Sequence, residues 1–239
     1  MDLFFVAAIA IAGSFTQSIS GFGFAIIVMA LWPLVIPLHS AVIVEVITAF
    51  VMVSYISFKL FKHINFKLLI YPLITSFITS TLGVATLMSS AENLLRRILG
   101  GVLIILAAYF LFYSDKIKIK PSIINGLIAG GISGFFAGLM SIGGPPIAAY
   151  FLSVTDDKME YNATLQFYFF LSSVYLFFIH LLLGNITGEV VKYSFVGIIG
   201  VAVGTIVGLK LFKKLSLNII KKIVYIFMMI VGLFMLTKV

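Results

Sequence analysis

Two short runs hold the residues best suited to handle a charged solute. The first is Gln17-Ser18-Ile19-Ser20-Gly21-Phe22-Gly23, and the second is Ser141-Ile142-Gly143-Gly144-Pro145-Pro146. Each lies inside a long apolar stretch, so each interrupts what would otherwise be helix. An interruption leaves backbone N–H groups without acceptors at the start of the next helix. Those groups, together with the helix dipole, attract negative charge. Glycines at 21, 23, 143 and 144 permit unusual φ/ψ values and close backbone approach. The hydroxyls of Ser18, Ser20 and Ser141 and the amide of Gln17 add directed donors. Pro145 and Pro146 suit the first turn of a helix, where a missing N–H matters least. The expected contacts to a small anion are therefore Gln17, Ser18, Ser20, Gly21, Phe22, Gly23, Ser141, Ile142, Gly143, Gly144 and Pro145. The competing reading of the glycines is close helix packing.

Outside these runs few side chains carry chemistry. Glu45 falls inside an apolar span, where an acid is costly and often functional. Gln166 occupies the equivalent place in the second half of the chain. Either Glu45 is a protonatable switch coupled to solute movement, or it is an acid near the membrane surface. His39, His63 and His180 lack ligand spacing to one another or to acids, so no metal or cofactor is expected. There is no cysteine, which removes disulfides and thiolate sites. No nucleophile converges with a base, so enzymatic activity is not expected.

The elements that must position these residues are membrane helices. Of 239 residues, 62% are hydrophobic and 10% are charged, with a mean hydropathy of +1.22. A soluble domain carries about 25% charge, so too little polar surface exists here for water. Apolar runs at 3–36, 40–58, 67–89, 96–113, 122–153, 161–183, 191–209 and 221–237 lack strand-like alternation, which excludes a β-barrel. The basic residues sit between these runs rather than on one polar face, which argues against nucleic acid. The start, MDLFFVAAIA, has an acid where a signal peptide needs basic residues, so this first helix is expected to stay. Runs 3–36 and 122–153 are too long for one crossing of a hydrocarbon core about 30 Å thick. Each is read as two shorter helices joined at its glycine-rich break.

The halves resemble each other. Asn93-Leu-Leu-Arg-Arg-Ile98 matches Asn218-Ile-Ile-Lys-Lys-Ile223, Gly83 lies over Gly204, and Ile64 lies over Ile186. The chain therefore reads as two repeats, 1–120 and 121–239, within one transmembrane domain. Each repeat is a broken segment followed by three transmembrane helices. If 122–153 returns to its starting side, 12 of the 16 Lys and Arg fall on one face; a single crossing divides them equally. The positive-inside rule favours the first arrangement, which inverts one repeat relative to the other and leaves both termini outside. Glycines 126, 130, 134 and 138, and 200, 204 and 208, recur every four residues and are assigned to helix packing. Inverted repeats with paired interrupted helices point to a secondary transporter.

The elements GSFTQSISGFGFAII at 13–27 and GGISGFFAGLMSIGGPPIAAYFL at 130–152 resemble the paired signature of the TauE/SafE (sulfite exporter, TSUP) family. The resemblance extends over nearly the whole chain. Pro145-Pro146 and Ser141 depart from the family's usual small residues and glycine. The resemblance implies a plasma-membrane carrier of sulfite, organosulfonates or related oxyanions, working by alternating access. Another small organic anion is the second expectation, and a non-transporting membrane scaffold or enzyme the third. The expected partners are the anion, the lipid bilayer, a second copy of the chain and H+ as coupling ion.

Overall fold

The computed structural model describes residues 1–20, 23–112, 120, 122–211 and 217–237. Ten α-helices are described: α1 (Asp2–Ser20), α2 (Phe24–Leu31), α3 (Leu38–Lys59), α4 (Phe66–Ser89), α5 (Glu92–Phe112), α6 (Ile123–Met140), α7 (Gly144–Val154), α8 (Lys158–Leu182), α9 (Gly188–Leu211) and α10 (Leu217–Thr237). Six of them, α3, α4, α5, α6, α8 and α9, are long and apolar enough to cross a membrane. The protein is a multi-pass helical membrane protein. The sequence sets the helix boundaries locally. Ser122 caps α6 by accepting from the Asn125 N–H at 3.1 Å, and Asp157 caps α8 by accepting from Met159 and Glu160.

The chain divides into two compact units, Met1–Glu45 with Ser89–Ile117 and Gly188–Val239, and Val46–Met88 with Lys118–Thr187. Each unit draws helices from both halves of the sequence.

In the first unit α2 folds back along α1. Gly13 faces the side chains of Phe24 and Val28, and the Trp32 indole N–H donates to the Val6 carbonyl at 3.2 Å. The long apolar run 3–36 is thus a hairpin, as its length requires. Helices α1 and α9 run side by side in the same direction, because Gly200 meets Ala7, Gly204 meets Ile11 and Gly208 meets Phe15. A Cβ on Gly204 would collide with the Ile11 carbonyl and the Ser14 hydroxyl, so the glycine is what permits this separation. Helices α5 and α10 run in opposite directions: Gly100 meets the Gly232 backbone, while Phe110 stacks on Tyr225 at 4.9 Å between ring centroids. The connection after the first hairpin is tied to α5. Glu92 accepts from the Leu38 N–H at 3.2 Å and pairs with Arg96, which also donates to the Pro33 carbonyl.

The second unit repeats much of this plan. Helix α7 folds back along α6, with Tyr150 Oη donating to the Ser122 carbonyl and Ser133 Oγ to the Gly143 carbonyl. Helix α4 lies along α6 in the same direction, Pro72, Ser76 and Ser80 meeting Gly130, Gly134 and Gly138 in turn. A Cβ on any of these three glycines would strike α4 backbone, so the packing role assigned to the stripe holds. Helices α3 and α8 run in opposite directions, since Phe50 stacks near Phe177 and Phe170 while Phe61 meets Phe167. Asn65 fastens the turn between α3 and α4 to α8, its N–H donating to Thr164 and its amide to Glu160 at 2.8 Å. Around Ile147, Phe151, Ala163 and Tyr168 lies the apolar core that holds α7 against α8.

Candidate functional site

At the first break the backbone turns at Gly23, with φ 116 and ψ −5. No L side chain adopts that conformation without strain, which accounts for the glycine there. Gln17 is 6% exposed, and its Oε1 accepts from the Phe24 N–H at 2.9 Å. The amide therefore stands at the opening of α2 with its orientation determined: oxygen toward Phe24, nitrogen on the other side. Its Nε2 has no partner among the described residues. The next N–H groups of α2, on Ala25 and Ile26, have no acceptor within the helix. One buried amide and two backbone donors thus collect at one helix start. Ser18 does not join them, because its hydroxyl donates to the Ser14 carbonyl at 2.7 Å and its Cβ lies against Gly208. Gly21, Phe22 and the side chain of Ser20 lie outside the described residues.

The second break is built differently. Helix α6 ends at Ser141, whose φ of 57 lies in the left-handed region. Its N–H donates to the Ala137 carbonyl and that of Ile142 to the Phe136 carbonyl, closing the helix end. Gly143 has an ordinary φ of −88, so conformational freedom does not explain it. Proximity does: a Cβ there would collide with the Ser133 carbonyl and sit 2.9 Å from the Ala137 Cβ. Gly144 meets nothing nearer than the Phe169 ring edge at 3.5 Å. Helix α7 then opens Gly144-Pro145-Pro146, and the two prolines bring no N–H to its first turn. Gly144 supplies the one donor among these three residues. Ser141 and Ile142 are both buried, at 8% and 2% exposed.

Sequence reasoning did not single out Ser133 or Tyr168, which hold this break. Ser133 Oγ donates to the Gly143 carbonyl at 2.6 Å, and Tyr168 Oη donates to Ser133 Oγ at 3.1 Å. A polar residue at a position surrounded by glycines on α6 was the available signal, and it reads equally well as a small packing residue.

Glu45 lies two turns into α3 and is 6% exposed; Gln166 lies two turns into α8, is 1% exposed and donates to Asn162 Oδ1 at 3.4 Å. Both are buried at matching depths in their helices. Every described Lys and Arg lies in a connection or within the first or last two turns of a helix. Neither break has a lysine or arginine in its run.

A family model described as "Sulfite exporter TauE/SafE" matches residues 5–235. No curated protein and no solved structure matches the chain.

Proposed function

Since this chain belongs to the TauE/SafE sulfite exporter family, we propose that it is a secondary carrier that moves a small sulfur-containing anion, such as sulfite or a sulfonate, across the plasma membrane. The observation that carries the reading is the first break. There a buried Gln17 amide and the open N–H groups of Ala25 and Ile26 offer neutral donors to an oxyanion inside an apolar protein. Neutral donors hold an anion less firmly than a fixed cation does, which suits a carrier that must release its load. No ATP-binding motif occurs in the sequence, so the energy is assigned to a gradient, with H+ as the coupling ion and Glu45 as the group that carries it.

Alternating access between inverted repeats 1–120 and 121–239 is the mechanism we assign. Four helix pairs support it. In the repeat alignment α3 corresponds to α8 and α5 to α10, and the members of each pair run in opposite directions. The remaining contacts are α1 with α9 and α6 with α4, in each case the broken segment of one repeat with the second of the three transmembrane helices of the other. Both are parallel, and both rest on glycines meeting backbone.

Purified protein in proteoliposomes, loaded with unlabelled sulfite and given 35S-sulfite outside, tests the proposal. Accumulation by counterflow is the expected result. Absence of counterflow with sulfite, with a small sulfonate and with sulfate would remove the sulfur-anion reading; exchange of a carboxylate instead would move the substrate to another organic anion.

A further inference from the structure

The second break is held by a chain of hydrogen bonds that reaches beyond its own hairpin. Tyr168 stands on α8 and Ser133 on α6, each 1% exposed. The direction of the hydrogen bonds between them is fixed by chemistry. A carbonyl only accepts, so Ser133 commits its proton to Gly143 at 2.6 Å, and its oxygen is then left to accept from the Tyr168 phenol at 3.1 Å. The hydroxyls of Ser76 and Ser172 face the same phenol. Phenylalanine would fill the same volume with no polar atom to satisfy in a fully buried place, so the hydroxyl calls for a reason beyond packing.

The peptide that links Gly143 to Gly144 supplies that reason. It is planar and trans, so its carbonyl and its N–H point in opposite directions. Turning the Gly143 carbonyl toward Ser133 on α6 turns the Gly144 N–H away from α6. Pro145 and Pro146 have no N–H, so this is the donor that the first three residues of α7 retain, and a Cβ on Gly144 would make only an ordinary contact with the Phe169 ring at 3.5 Å. At the first break the equivalent task falls to Gln17 alone, whereas here Ser133 of the hairpin performs it and is tied in turn to a neighbouring helix through Tyr168.

We propose that Tyr168 is a positioning residue that, through Ser133 and the Gly143 carbonyl, aims the Gly144 N–H at the transported anion and links the second break to α8. The inference rests on the reading of the breaks as anion-contacting elements, and its test separates the two. In proteoliposomes, Tyr168→Phe and Ser133→Ala are each expected to raise the KM for 35S-sulfite several-fold with Vmax within about twofold. The double variant is expected to be no worse than Ser133→Ala alone, because both residues are links in one chain. A second readout needs no substrate. The protein has no cysteine, so Gly144→Cys reports locally, and its labelling rate by an anionic methanethiosulfonate is expected to change several-fold when Tyr168→Phe is added. Wild-type KM and an unchanged labelling rate in Tyr168→Phe would overturn the proposal, as would strictly additive effects of the two substitutions. Should Tyr168→Phe fail to fold, the same pair of measurements on Ser133→Ala decides it. Altered labelling in a protein whose wild type carries no anion would sink the carrier reading and keep the link between Tyr168 and the break.

Discussion

Three glycines that look alike in the sequence answer to three different physical demands. Gly23 is held at φ 116, Gly143 is pressed against the Ser133 carbonyl, and at Gly144 a Cβ would make only an ordinary contact with Phe169. Alanine at 23 is therefore expected to lower stability by about 1–3 kcal/mol through backbone strain. Alanine at 143 is expected to cost a comparable ~1–3 kcal/mol through overpacking. Alanine at 144 is expected to leave the melting temperature unchanged. Thermal unfolding of the three variants in detergent checks the series, and a Gly144→Ala protein as unstable as Gly143→Ala would refute the assignment. Glu45 poses a different question at the same scale. It is buried, and Glu45→Gln reproduces both the protonated acid and the residue found at its repeat mate, Gln166. That variant is expected to keep sulfite binding and to lose the pH dependence of transport. Uptake measured across a range of external pH decides it. A wild-type pH profile would show that Glu45 carries no coupling proton.

At the scale of helices, the glycine stripe on α6 and Gly101 on α5 make opposite forecasts. A Cβ at Gly134 would collide with the Ser76 carbonyl, whereas at Gly101 it would meet nothing within 4 Å. Gly134→Ala is expected to prevent α6 from seating on α4 and to abolish folded, monodisperse protein on size exclusion. Gly101→Ala is expected to raise stability by about 0.5–1 kcal/mol through helix propensity alone. Both hairpins were legible in the sequence, because the apolar runs 3–36 and 122–153 exceed one membrane crossing and each carries glycines at its middle. Helix length and hydropathy are properties of the chain in one dimension. The role of Gln17 was half legible: its amide belongs at the first break, but its oxygen caps α2, leaving only the nitrogen side for a solute. The Tyr168–Ser133 pair was not legible, since its members are far apart in sequence and each is an ordinary residue for its helix. Their meaning arises only when α6 and α8 are brought together. The reason for Gly143 was hidden likewise, as a close approach has no local signature.

For the whole molecule, two spans folded back as hairpins determine which loops share a face. Helix α7 returns along α6, so Lys120 before the hairpin and Lys158 after it are expected on the same side of the membrane, and Lys192 on the other. Single cysteines at these positions, labelled from one side in intact cells, give the answer against a background free of native thiols. Labelling of 120 and 158 from opposite faces would overturn the inverted arrangement and the placement of both termini outside. The exchange of α9 and α4 between repeats also sets a timetable for biogenesis. The groove on α1 is closed by Gly200, Gly204 and Gly208 of α9, which leave the ribosome almost a whole chain later. At about 5–20 residues per second this delay is on the order of ten seconds or more. Throughout that interval the α1–α2 hairpin sits in the bilayer without its partner, its small-residue face open to lipid or to any other helix nearby. The α4–α6 contact, by contrast, closes soon after α6 is made. One unit is therefore assembled during synthesis and the other only at its end, so damage to α9 strands a helix that has long since been inserted.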